Sequence, residues 1–145
     1  MSLILFSNIL VTAFLVGLIW FVQIVHYPIF KEVGKQNFHQ FHVAHTVSTG
    51  KIVILPMLLE LGLSFWLVWE EQSFFSIIAL LITILLWILT AWIFVPLHGK
   101  LGDKAKGYDL EIMKKLVFRN WFRTLFWSLR LIILSYMLIQ MTSNL

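Results

Sequence analysis

Predominantly apolar stretches run through Leu3 to Val25, Ile52 to Trp69, Phe74 to Val95 and Leu125 to about Met141. Each block is about the length an α-helix needs to cross a bilayer. The first and third carry no charged side chain, the second carries Glu60 and the fourth Arg130. Backbone groups in hydrocarbon must satisfy their own hydrogen bonds, which helices do and open strands do not. The pattern therefore predicts an all-α membrane protein, a four-helix up-down bundle that takes up residues 1–145 as a single domain. Pro28 and Pro96 stand just past spans one and three and are expected to end those helices, and Pro56 is expected to kink span two. Ahead of span two, Asn37 to Lys51 contains no proline. There Phe38, Phe41, Val43, Ala44 and Val47 predict an amphipathic helix leading directly into the span.

Composition agrees, because 60% hydrophobic and 12% charged residues with a mean hydropathy of +0.90 leave too little charge to clothe a soluble domain. The charge is also one-sided. Lys31, Lys35 and Lys51 lie in the first connection, and Lys100, Lys104, Lys106, Lys114, Lys115, Arg119 and Arg123 in the third, whereas Glu70 to Ser73 form a short acidic turn. By the positive-inside rule the two long connections are cytoplasmic and both termini lie outside the cell (inner) membrane. Lysines in such positions face anionic lipid heads, so membrane lipids and not nucleic acid are the expected partners. Trp66, Trp69, Trp92, Trp121 and Trp127 fall near the expected span ends, as an interfacial aromatic belt does. The opening segment lacks the basic start and small-residue cleavage site of a secretory signal. The absence of cysteine excludes disulfides, thiolate metal sites and a cysteine nucleophile.

All five histidines, His26, His39, His42, His45 and His98, lie in or beside the two basic connections. Imidazole is a common ligand of transition metals, and the stripe His39, His42, His45 places rings on neighbouring parts of one helical face. These five are the candidate metal ligands, with a transition metal or haem as the suspected centre and His26 and His98 reaching it from other spans. The alternative is an interfacial helix whose histidines meet water and lipid heads. Glu60 is eighteen residues from His42, roughly 27 Å along a helix, so the two cannot share one ion. Its depth matches Arg130, and a lone carboxylate in hydrocarbon is costly, so a Glu60 to Arg130 pair is expected. Arg123, Trp127 and Arg130 recur along one stripe, and with Asn120 they suggest a face that reads an acidic cofactor or substrate group. Glu60, Arg123 and Arg130 are thus the candidate catalytic residues, and His26, His98, Asn120 and Arg123 the candidate cofactor-binding ones. Gly17 and Gly62, inside spans, are expected to permit close helix approach.

The run Val25-His26-Tyr27-Pro28-Ile29-Phe30, the stretch Phe38-His39-x-Phe41-His42-x-x-His45, Pro56 to Glu60, Pro96-x-His98, and Asn120-Trp121-x-Arg123-Thr124 with Arg130 resemble a group of short, uncharacterised bacterial four-span membrane proteins. In size and layout the chain is also distantly similar to the anthrone-oxygenase-like domain of unknown function. That second likeness implies an oxygenase or redox role on a hydrophobic substrate. Three classes of function follow. The first is a metal- or haem-dependent redox enzyme acting on a lipophilic small molecule at the histidines. The second is a non-catalytic binder or carrier of a lipid or quinone-like molecule at Glu60 and Arg130. The third is a scaffold that associates through Gly17, Gly62 and aromatic faces, and a transport role would call for a homo-oligomer.

Overall fold

The computed structural model describes residues 3–104 and 108–143, so Lys106 lies outside it. Among these residues there is no strand. Helix α1 (Leu3–Phe21) passes through a π turn (Val22–His26) into the short α2 (Tyr27–Ile29), and α3 runs unbroken from Lys35 to Glu71. Helix α4 (Phe74–Leu89) passes through a second π turn (Thr90–Phe94) into α5 (Val95–Leu101), and α6 runs from Leu110 to Ser143. Four helical segments are long and apolar enough to cross a membrane: Leu3–Ile29, Lys35–Glu71, Phe74–Leu101 and Leu110–Ser143. The chain is an all-α four-helix bundle and a multi-pass membrane protein. Around the bundle α1 packs on α3 and α6, and α4 packs on the same two helices from the far side.

Local chemistry sets the helix ends. Ser73 caps α4 through a reciprocal pair, its Oγ accepting from the Ser76 N–H at 3.1 Å and the Ser73 N–H donating to Ser76 Oγ at 3.1 Å. Asp109 Oδ1 accepts from the N–H groups of Glu111 and Ile112 at 2.8 and 3.0 Å and starts α6. Gln72 closes α3 in the left-handed region at φ 43°, its N–H bonded to the Val68 carbonyl.

Two expectations are corrected here. Pro96 does not end its helix, which runs on to Leu101, and Pro28 stands one residue before its helix closes at Ile29; each sits two residues beyond a π turn. An α-helical N–H at these positions would bond four residues back, to Ile24 or Trp92, and proline has none to give. The π turn absorbs the mismatch because the preceding N–H, of Tyr27 or Val95, reaches five residues back to Val22 or Thr90. The two proline segments thus share one backbone geometry. Secondly, a Cβ added at Gly17 or Gly62 would meet nothing within 4 Å, so neither serves a helix contact within the chain.

The core is layered along the bundle axis. At one end Leu5, Leu67, Ala79, Leu134 and Met137 pack together. Leu15, Met57, Ile82, Leu86 and Trp127 form a middle layer, and Tyr27, Phe30, Phe38, Phe94, Leu101 and Leu116 a third. The outer surface is also apolar, with Trp69 81%, Trp92 76% and Ile132 65% exposed, as suits a protein solvated by lipid. At 37 residues α3 is about 55 Å long, well beyond a hydrocarbon core of about 30 Å. Its first third, which carries the histidines, is the expected amphipathic lead-in and is one piece with span two.

Candidate functional site

Four of the five histidines meet. His26 ends the first π turn, His42 and His45 lie on α3, and His98 lies on α5. His26 Nε2 is 2.6 Å from His45 Nδ1, and His42 Nε2 is 3.1 Å from His98 Nδ1. The two pairs adjoin, with ring centroids 6.3 Å apart for His42 and His45 and 5.8 Å for His45 and His98. Thr49 Oγ1 stands 3.1 Å from His45 Nδ1. Aromatic rings wall the group, Phe30 edge-on to His45 at 5.0 Å and Phe38 stacked on His42 at 5.7 Å. Each contact joins an N–H to a nitrogen lone pair, the same lone pair through which imidazole binds a metal. Among the described residues no group of three or more His, Cys, Asp or Glu side chains could hold a metal ion as they are arranged. The rings are paired with one another instead.

His39 is placed apart from the other four. One turn before His42 on α3, it makes no ring contact with them among the described residues, and its buried Nδ1 has no hydrogen-bond partner. Asn120 is fully buried but bonded elsewhere: its Nδ2 donates to Gln23 Oε1 at 2.8 Å, and Gln23 Nε2 donates to the Val117 carbonyl at 3.3 Å. The Asn120 Oδ1 has no partner.

Below the histidines lies a cavity of about 410 Å³, within the range of small-molecule sites. His42, His45 and His98 border it at one end, and Leu15, Ile19 and Val53 line it deeper in the bundle. Val43, Val47 and Val95 belong to its lining and are 41%, 51% and 62% exposed, so it opens toward lipid past α3 and α5. Arg123 and Trp127 form part of its wall. The Arg123 guanidinium lies over the Phe94 ring at 4.5 Å and the Trp127 ring at 5.0 Å.

Glu60 and Arg130 form a separate polar layer, between the middle and far apolar layers. Arg130 Nη1 lies 3.0 Å from Glu60 Oε1 and also donates to Thr12 Oγ1. Its Nη2 donates to Asn8 Oδ1 and Ser64 Oγ at 2.8 and 2.6 Å, and its Nε to Thr83 Oγ1 at 2.8 Å. Glu60 Oε1 accepts from Thr12 Oγ1 at 2.9 Å and Glu60 Oε2 from Trp127 Nε1 at 3.1 Å. All four long helical segments contribute, and a ligand entering between Glu60 and Arg130 would have to displace one of these partners. Trp127 is therefore no interfacial anchor; it is 1% exposed and links this layer to the cavity wall, while Trp66, Trp69, Trp92 and Trp121 do face outward. Sequence reasoning did not single out Asn8, Thr12, Ser64, Thr83, Gln23 or Tyr27. For Asn8, Thr12 and Ser64 a signal exists, since polar residues four apart in apolar spans, here Asn8 with Thr12 and Glu60 with Ser64, mark the face turned to the interior.

No family model matches the chain, and neither does any curated protein or solved structure.

Proposed function

We propose that this chain is a small membrane metalloprotein whose histidine cluster holds a transition-metal ion or haem iron, and that it carries out redox chemistry on a lipophilic molecule in the adjoining cavity. The observation that carries this reading is the convergence of His26, His42, His45 and His98, from three separate helical elements, at the mouth of an apolar cavity. Imidazole-only donor sets suit copper, iron and zinc. Two nitrogens bound at about 2.05 Å to one tetrahedral ion stand about 3.4 Å apart. The 3.1 Å separation of His42 Nε2 and His98 Nδ1 is within a small ring rotation of that spacing. His45 is the adjoining third ligand, and Thr49 is placed to orient it. The asymmetry of lysine and arginine supports a cytoplasmic position for the cluster.

The test is elemental analysis with an ultraviolet-visible spectrum on detergent-purified protein and on His39→Ala, His42→Ala and His98→Ala variants. Stoichiometric metal or a Soret band is expected in the wild type and in His39→Ala, and its loss in the other two. Colourless protein that takes up neither copper nor iron on titration overturns the reading, and zinc uptake alone does not rescue it because zinc is redox-inert.

A further inference from the structure

Arg123 is a cation buried without a counter-charge. It is 7% exposed, and its Nε has no hydrogen-bond partner. Among the described residues the salt bridges are Lys114 to Glu111 and Arg130 to Glu60, so no carboxylate pairs with Arg123. Burying an arginine unpaired is costly, and the contrast with Arg130, whose guanidinium is bonded on every nitrogen, is sharp. The Arg123 guanidinium carbon lies over the Phe94 and Trp127 rings, a cation–π contact that holds the head at this depth. Arg123 lines the cavity wall, and a guanidinium presents its N–H donors as a planar fork.

We infer that the cavity binds an amphiphile with a single carboxylate head, the head bridged by the Arg123 fork and the hydrocarbon tail lying along the apolar lining. A carboxylate matches the fork with two parallel N–H···O bonds. Charge selects it as well. Among the described residues Arg123 is the only lysine or arginine in the cavity lining, and a carboxylate supplies the single negative charge that it lacks. The tail has room: from His42 to Val53 the lining extends along α3 for roughly 16 Å. The exposed Val43, Val47 and Val95 at the rim let such a molecule enter sideways from the bilayer, with its head at the histidine end. The inference deepens the proposed function by naming the class of lipophilic molecule, and it rests on that reading only for the claim that the cavity is occupied.

The experiment is equilibrium binding of radiolabelled laurate and dodecanol at neutral pH to the full chain in phosphatidylcholine nanodiscs, with uptake by empty nanodiscs subtracted. Laurate is expected to bind about tenfold or more tightly than dodecanol, the scale of a charge-assisted hydrogen bond. The preference is expected to vanish in Arg123→Gln and to persist in the exposed control Arg119→Gln. Equal binding of acid and alcohol by the wild type overturns the carboxylate assignment while leaving an occupied cavity. Binding of neither overturns both the assignment and the occupied cavity. The wild-type comparison decides the matter even where Arg123→Gln fails to fold, and metal content, measured on the same samples, reports the histidine cluster separately.

Discussion

Arg130 and Glu60 form an ion pair 3.0 Å long with both side chains shut off from solvent and lipid. The pair is not isolated. Thr12, Asn8, Ser64, Thr83 and Trp127 take up the remaining donors and acceptors, so the cost of burying two charges is offset by hydrogen bonds from all four long helical segments. Breaking it from one side leaves the other charge uncompensated in low dielectric. Arg130→Met is therefore expected to cost about 3–5 kcal/mol, and Glu60→Gln a similar amount. The double variant should cost clearly less than the sum, because it leaves no orphan charge. Thermal unfolding in detergent across the four proteins gives the coupling, and additive losses would show that the two side chains act independently.

What the sequence made legible, and what it hid, follows from the physics of each signal. The four spans were readable because hydrocarbon demands long, predominantly apolar runs, and the Glu60 to Arg130 pair because a lone charge at that depth is untenable. Helix ends were not readable from hydropathy, which marks where lipid lies and not where hydrogen bonding stops. Thus α6 begins at Leu110, well before the apolar run at Leu125, whereas the early start of α3 at Lys35 was legible within two residues from the amphipathic pattern after Asn37. The histidines could be grouped by their shared side of the membrane, yet their pairing depends on two π turns that shift the register of His26 and His98, and no composition signal announces a π turn. Trp127 looked like a belt residue because tryptophan serves both interface and core, and only its hydrogen bond to Glu60 separates the two roles. The cavity has no linear signature at all, since its walls come from every long helix.

The second π turn and Pro96 answer one another, and a stability measurement tests this directly. Trp92, within the turn, is 76% exposed. Deleting it removes the extra residue and returns the segment to α-helical register, which sets the proline ring against the carbonyl four positions earlier. The deletion is expected to cost roughly 3 kcal/mol, the penalty of proline inside a helix. Combining it with Pro96→Ala should restore most of that stability. A deletion as stable as the parent, or one that Pro96→Ala does not rescue, would mean that the π turn is held by something other than the proline.

Orientation decides which compartment supplies the histidine cluster, and the chain is well suited to measuring it because it contains no cysteine. Glu32, between α2 and α3, lies at the histidine end of the bundle, and Gln72, between α3 and α4, lies at the other; both are exposed. By the positive-inside rule Gln72 is expected outside and Glu32 in the cytoplasm. A membrane-impermeant maleimide applied to intact cells is therefore expected to label Gln72→Cys nearly completely and Glu32→Cys only after the membrane is opened. The reverse pattern would put the four histidines and the cavity mouth on the outer face. The metal would then have to come from the extracytoplasmic side, and the ten clustered lysines and arginines would stand as an exception to the positive-inside rule.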